Sequence, residues 1–498
     1  MPVDLPLPAP PEPVVLAPTR RAVGRQLDVQ VQGRQLSLQL PADVDVDELR
    51  HSLLQSSSAE DALRRLPYLM VAAGYLSVRT YYLEQADGSL QVWLIPVPLT
   101  AVDGEAPMLD YFKPLAGSRR PLRASDLEPR RTLAGLHADR AGLRAGARLL
   151  PDGEELRMDL HSFPQGDRGK VRVAVGNPGN RYVGRRFVDL DVRMDTVSGA
   201  EFGLFWRESD RLFQGGNADY HEQGVSASLF RPQGLFSLGA RRFDYRVRDP
   251  AGLLDGEQDY YELSWLAVPK ANFRVRWTTE LKLDLTQQSL YRNSDEQLLR
   301  QERYPSLSAT LQRTATATVL GKRLDYDGSL LLRQGLGGDP TPAGASVLDY
   351  QLTRLGFGAR WRLLPSLALE TQLAGQWSDD RLPDAQLWAL GGPQLVRAYY
   401  PGAALGDRGA YARLSSLWPL PAYKSLQLTP AVHVEWGRSD RENSPDGTLA
   451  DFALSLDLRY RRSWSASLSS GLPFVERGDP RLLEGARAGL FFRLAADL

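Results

Sequence analysis

From about residue 170 to its end the chain repeats one pattern, with apolar side chains at every second position and polar or charged ones between. Phe273, Val275, Trp277, Thr279, Leu281, Leu283 and Leu285 alternate with Arg274, Arg276, Thr278, Glu280, Lys282 and Asp284. The stretches Val188–Met194 and Phe452–Tyr460 do the same. Successive side chains of a strand point to opposite faces, so a period of two means strands with one apolar and one charged side. A soluble sandwich of two sheets gives this alternation too. Three features favour a transmembrane barrel. The segments approach the about 9–11 residues that a tilted strand needs to cross a bilayer. Their polar faces are dense in charge, as a water-filled lumen permits. Trp206, Phe243, Tyr245, Tyr260, Tyr261, Trp361, Trp418 and Trp464 lie near segment ends, where interfacial aromatic girdles form.

Sixteen such segments can be counted, joined alternately by short and long connections. Short ones fall at Val197–Gly199, Pro232–Gly234, Pro269–Asn272, near Gly321, at Leu364–Ser366, at Ala422–Ser425 and around Ser463. Long ones fall at Glu208–Tyr220, Asp249–Glu257, Tyr291–Tyr304, Gly337–Ser346, Asp379–Gly409, Ser439–Thr448 and Arg477–Ala486. Short periplasmic turns, longer external loops and an even strand count are the marks of bacterial outer-membrane barrels. With a first external loop near Pro178, the long stretch 379–409 is the sixth.

Composition narrows the alternatives. The 498 residues hold 60 basic and 60 acidic side chains, a net charge of zero that argues against a nucleic-acid binder. There is no cysteine, which excludes disulfides, thiolate metal sites and cysteine nucleophiles. No apolar run of about 18 residues encodes a membrane-spanning helix. No basic-then-apolar leader follows Met1, so the expectation for an exported protein is a mature chain. A hydrophobic share of 43% suits a barrel whose alternate residues face water.

Ahead of the alternating region the texture differs. Residues 1–24 are proline-rich, and Pro6, Pro8, Pro10, Pro11 and Pro13 forbid a regular helix, leaving an extended lead-in. Residues 25–104 suggest a compact α/β unit. It has strands around Leu27–Val31 and Leu36–Leu40, helices near Val46–Ser56 and Ala59–Ala73, and a hairpin of Leu76–Leu83 and Leu90–Val97 turning at Asp87-Gly88. Pro67 interrupts the second helix and Gly74 ends it. Residues 105–169 suggest a looser copy, with a helix capped by Ser125 and a hairpin turning at Asp152-Gly153.

The sixth long connection breaks the alternation with Leu395-Val396-Arg397-Ala398-Tyr399-Tyr400-Pro401-Gly402. A long loop rich in aromatics and glycine, in a region otherwise regular, points to function rather than to a linker. Alternation along Leu426, Leu428, Val432, Val434 and Trp436 puts the next strand's apolar set on the lipid side, which turns His433 and Glu435 to the lumen.

Two α/β repeats, a sixteen-stranded barrel and a sixth loop carrying Val396-Arg397-Ala398-Tyr399 together resemble the two-partner secretion transporters, over nearly the whole chain. The family's loop signature is Val-Arg-Gly-Tyr or Phe, so Ala398 replaces a glycine. That exchange matters if the backbone there has a positive φ. Gly406-Asp407-Arg408-Gly409 fits the family's Gly-Asp-x-Gly entry into the next strand, and Gly176–Arg185 is similar to its first barrel hairpin. The family's Phe-x-Asp-x-Gly aligns with His433-Val434-Glu435-Trp436-Gly437, where only Gly437 is kept and Glu435 replaces the aspartate. The resemblance implies a loop folded back into the barrel, with Arg397 paired to Glu435. An arginine fork suits a carboxylate in a way that a lysine point charge does not. It also implies two POTRA-like domains (25–104 and 105–169) in the periplasm, ahead of a monomeric barrel (170–498) embedded in outer-membrane lipid. An N-terminal plug helix is a further family trait, which the proline-rich start cannot form.

The function so implied is export of a partner exoprotein, adhesin- or haemolysin-like, captured unfolded by the POTRA-like domains. An insertase for other outer-membrane barrels and a passive porin are the alternatives. No enzyme is implied. Gly391-Gly392 lacks a phosphate loop's context, no Gly-x-Ser-x-Gly elbow occurs, and the five histidines have no metal-ligand spacing, so neither a catalytic residue, a cofactor nor a metal is expected.

Overall fold

The computed structural model describes residues 3–4, 9–18, 24–104, 107–117, 120–166, 168–179, 184–209, 220–249, 252–341, 346–442, 444–461 and 463–498. Contacts divide it into an N-terminal unit, Met1–Gly166 with Val268–Phe273, and a C-terminal unit, Asp167–Ala267 with Arg274–Leu498.

The N-terminal unit holds two sheets. The first is built from β1 (Gly24–Val31), β2 (Arg34–Pro41), β3 (Val78–Glu84) and β4 (Leu90–Pro96), with helices α1 (Val46–Leu54) and α2 (Ala59–Ala72) between β2 and β3. Its core is the alternating set Leu27, Val29, Val31, Leu36, Leu38 and Leu40 packed against Leu49, Leu53, Leu63, Leu66 and Met70. Each helix starts on a side chain that accepts from its free N–H groups, Asp45 for α1 and Ser58 for α2. Gly74 takes a positive φ just beyond α2, which a Cβ would resist.

The second sheet holds β5 (Leu99–Gly104), β6 (Leu143–Asp152) and β7 (Glu155–Pro164), with α3 (Ala124–Arg140) ahead of β6. Two expectations change here. Leu99–Gly104 pairs in parallel with β7, so its hydrogen bonds belong to the second sheet although the sequence boundary at 104 leaves it with the first. Ser125 lies inside α3, which starts after Arg123 with no side-chain cap.

The proline-rich lead-in is extended where it is described, but it is not free. Glu12–Pro13 pairs in parallel with β3 opposite Tyr81 and Tyr82, and Val14 N–H donates to Tyr82 O at 2.9 Å. Val3–Asp4 pairs in parallel with β6. An outermost strand tolerates proline because one of its sides needs no donors.

The two sheets are tied by a bridge. Arg123 donates to Asp43 and, at 2.6 Å, to the Tyr75 hydroxyl, which itself donates to Asp43 at 2.5 Å. Backbone bonds from Leu76 N to Leu122 O and from Ala124 N to Gly74 O run beside it.

The C-terminal unit is a closed antiparallel barrel of sixteen strands. They are β8 (Gly169–Gly176), β9 (Phe187–Asp195), β10 (Ala200–Ser209), β11 (Tyr220–Arg231), β12 (Gly234–Asp249), β13 (Gly252–Ala271), β14 (Val275–Arg292), β15 (Gln297–Val319), β16 (Lys322–Gly335), β17 (Gln351–Leu364), β18 (Leu367–Trp377), β19 (Arg408–Leu417), β20 (Leu426–Asp440), β21 (Gly447–Tyr460), β22 (Trp464–Arg477) and β23 (Phe491–Asp497). Pairing of β8 with β23 closes the ring. The turn at Gly321 separates β15 from β16, as the count requires. A three-residue strand, Asp339–Thr341, adds onto β15 at Gln301–Arg303.

Alternation sorts the two faces as expected. Leu238, Leu263, Leu355, Leu414 and Leu454 point outward and are more than half exposed, an apolar surface that suits lipid. Inward side chains pair off across the wall, with Arg207 on Asp189 at 2.6 Å and Lys282 on Glu262 at 2.7 Å. Three members of the expected aromatic girdle are corrected by this sorting. Phe236 and Leu238 lie on the outer face of β12, so Phe243 and Tyr245 share the inner one, where Tyr245 meets Gln288. Tyr261 and Leu263 face out from β13, so Tyr260 faces in, under Lys282.

Two expected long loops are largely strand. β13 runs for 20 residues and β15 for 23, absorbing most of 249–257 and 291–304. Alternation fades there because a strand beyond the bilayer has water on both faces. Asn180–Val183, within the hairpin-like motif, lie outside the described residues.

The Asp43 bridge yields a pH test. The Arg123 hydrogen bond holds the Asp43 carboxyl down at about 2, against burial that raises it and with help from Tyr75. A depressed carboxyl stabilises the folded state above its unfolded pKa, so this contribution is full above about pH 4 and fades as pH falls towards 2. Both partners are partly exposed, so Arg123→Ala should cost roughly 0–1 kcal/mol. Hydrogen exchange at the Leu76 and Ala124 amides should quicken in this variant at neutral pH, and the difference from the parent should shrink as pH falls through about 2.

Candidate functional site

The sixth long connection, between β18 and β19, does not project into solvent. Its two arms pair as a short hairpin, Trp388–Leu390 with Ala404–Gly406, and its tip is buried. Val396, Ala398, Tyr399, Leu390, Ala403 and Ala404 form one apolar cluster with Tyr411 of β19, Leu449 of β21 and Ala486. Leu390 and Tyr399 have no exposed surface.

At the tip the loop meets two carboxylates. Glu435 of β20 accepts from the Arg397 guanidinium through Oε1 and from the Arg397 backbone N–H through Oε2 at 2.9 Å. Tyr411 O–H donates to the same Oε1 at 2.9 Å. Asp451 of β21, the register partner of Glu435, accepts from the Ala398 N–H at 2.5 Å. Tyr399 O–H reaches Val475 O at 3.1 Å on β22. Arg397 is 7% exposed, and neither acid is exposed at all, so the ion pair sits out of water. There a broken pair costs about 3–5 kcal/mol, whereas an exposed pair contributes roughly 0–1.

The other expected site residues have definite places. Gly437 lets Leu390 of the loop lie against β20, since a Cβ there would stand 2.6 Å from the leucine. Gly409 likewise faces the Trp388 ring, and Gly406 faces the Asp440 backbone. Asp407 Oδ1 accepts from Leu382 N–H at 2.8 Å, fastening the loop's return to its start. His433 is bonded between Ser415 and Ser455 at 2.8 Å each.

Ala398 is not among the residues with positive φ, so nothing in its backbone asks for glycine. The close approach is made from the wall side. A Cβ on Gly471 of β22 would fall 2.5 Å from Ala398 N and 2.6 Å from Asp451 Oδ2. Asp451 and Gly471 complete the seat, and neither stood out in the sequence. One acid on an alternating strand looks like any other lumen residue, and a glycine's need depends on what packs over it.

The loop's root is held on another stretch of wall. Arg300 of β15 binds Asp384 at 2.7 Å, Arg333 of β16 binds Gln386 at 2.6 Å, and Leu382 inserts between Tyr304, Leu348, Tyr350 and Leu352. Loop six therefore spans from β15–β17 to β20–β22 inside the ring.

Residues 158–459 match the family model for haemolysin secretion/activation proteins of the ShlB/FhaC/HecB type. The chain belongs to that family. It is an outer-membrane transporter that secretes a partner exoprotein, and the insertase and porin readings are not favoured. Among solved structures it is similar to CdiB from Escherichia coli, with a TM-score of 0.72 at 17% identity over 98% of this chain and 94% of that one. CdiB from Acinetobacter baumannii gives 0.61 at 16% identity, over 97% and 92%. At such identity these likenesses concern the fold. No curated protein matches the chain.

The transporter's loop seat can be tested from the wall side. Gly471→Ala should push the tip from its place, an overpacking that costs about 1–3 kcal/mol. Trypsin should then cut after Arg397 in the purified barrel, while the parent stays intact there. Unchanged resistance would show that the tip does not lie on Gly471.

Proposed function

We propose that the N-terminal unit stands in the periplasm and captures the unfolded exoprotein by adding its extended segments to open sheet edges. The barrel acts as a monomer whose sixth loop gates or organises the lumen, with Arg397, Glu435 and the surrounding motif residues as its lock. An adhesin- or haemolysin-like cargo fits the family's description.

The observation that carries capture is the pairing of Glu12–Pro13 on β3. An edge that accepts the chain's own proline-rich segment through backbone bonds asks little of side-chain identity. Strand addition of this kind suits a long client of varied sequence. A groove of about 220 Å³ beside it, lined by Val14, Arg79, Tyr81, Ile95 and Glu154, leaves room for side chains along that edge.

The lock is supported by its burial. Loop six crosses the lumen, so passage of a polypeptide requires it to shift, and a buried ion pair sets the free-energy cost of doing so. No nucleotide enters this scheme, and folding of the cargo outside gives the direction.

A photo-reactive side chain at Tyr81 tests capture in cells that express the cargo. The expected product is an adduct with a single large exported protein. Secretion that continues with no adduct would exclude this edge, and adducts with many barrel precursors would favour an insertase.

A further inference from the structure

We propose that Asp451 is a second positioning residue for loop six, one that recognises the loop's main chain while Glu435 recognises its arginine. The inference deepens the reading of loop six as the gate and rests on it.

The two carboxylates face each other across adjacent strands, as register partners with no exposed surface. Two carboxyl groups so placed repel when both are ionised, unless they share a proton or cations and donors lie between them. The loop tip supplies both kinds of compensation. Arg397 brings its guanidinium and backbone N–H to Glu435, and the next N–H, of Ala398, goes to Asp451 Oδ2. From the wall itself, Arg413 lies 4.0 Å from Glu435 and is engaged with Glu370 at 3.1 Å.

Facing Glu435 on the wall, Asp451 accepts from a single backbone donor. Its bond is to the loop. When the tip leaves, the pair of acids loses a cation and two N–H donors together, so the seat is favourable only while the tip fills it. Gly471 makes the contact possible by letting the Ala398 backbone come down beside Asp451. The same arrangement accounts for a chain that carries alanine at 398. The loop's fit comes from its N–H and a glycine opposite, not from freedom at 398.

Acceptor and charge can be separated by substitution. Asp451→Asn keeps an oxygen that can accept from Ala398 and cannot ionise. Asp451→Ala removes the acceptor. The chain has no cysteine, so a single Ala404→Cys, buried where the loop's return arm meets Gly447, reports on the seat through maleimide labelling of the full protein in outer membranes.

Labelling should stay slow in Asp451→Asn and rise roughly tenfold in Asp451→Ala, the size expected for a buried donor left unpaired. It should rise in Arg397→Ala as well, where two facing carboxylates lose their guanidinium. It should fall back part of the way in Arg397→Ala with Asp451→Asn, since only one of the facing groups can then ionise. A parental rate in Asp451→Ala, or an Asp451→Asn rate as high as that of Asp451→Ala, would overturn the main-chain role. A double variant no slower than Arg397→Ala would overturn the acid-pair account. Heat-modified gel mobility confirms that each variant still forms a barrel. Labelling requires no cargo, so a seat that loosens as expected while secretion stays normal would count against the gate and not against Asp451.

Discussion

A strand inside a bilayer has no water to satisfy its backbone, and every N–H and C=O left unpaired there costs several kcal/mol. The chain meets this constraint by bonding β8 to β23, which leaves the ring without an edge. Closure then dictates much of the rest. Alternate residues must face lipid, the others line a water-accessible interior, and that interior can hold charge that no soluble core of this size would bury. The paired rows of Asp189 with Arg207 and Glu262 with Lys282 belong to this inner face. So do Glu435 and Asp451.

Within that lumen, loop six changes the character of one stretch of wall. At several other places inward charges neutralise each other between neighbouring strands. At β20 and β21 two acids stand side by side and are completed by a guanidinium and two consecutive backbone N–H groups from a loop. The wall is thus incomplete without the loop, and the tip's guanidinium and two consecutive N–H groups find carboxyl acceptors at the wall. Apolar contacts of Val396, Tyr399 and Leu390 add non-directional burial, while the acids set the register. Such a seat is stable when filled and costly when empty, which suits the gate proposed for loop six.

The sequence made some of this legible and hid the rest, for physical reasons. Period two exposed the strands, their faces and the inward direction of Glu435, because alternation follows directly from the pleat. The resemblance of Val396-Arg397-Ala398-Tyr399 to a known loop then supplied a partner for that acid. Asp451 was hidden because one lumen acid among many carries no local signature. Gly471 was hidden because its small size is needed only by a loop distant in sequence. Tyr245 and Tyr260 were placed with the girdle because position along a strand was weighed without its face. The extensions of β13 and β15 were missed where water on both sides erases the pattern. In the N-terminal unit, the pairing of Leu99–Gly104 with β7 is a long-range choice that no local pattern records.

The central claim is that the tip of loop six rests in the lumen of the membrane-embedded transporter. Ala488 N–H donates to Ala398 O at 2.8 Å, which brings the two residues into bridging range. With cysteines at both positions of this otherwise cysteine-free chain, oxidised whole cells provide the most direct measurement. The account requires a disulfide in most of the population, together with secretion that stops until reductant is added. Free thiols that never link in a transporter still secreting its partner would contradict it.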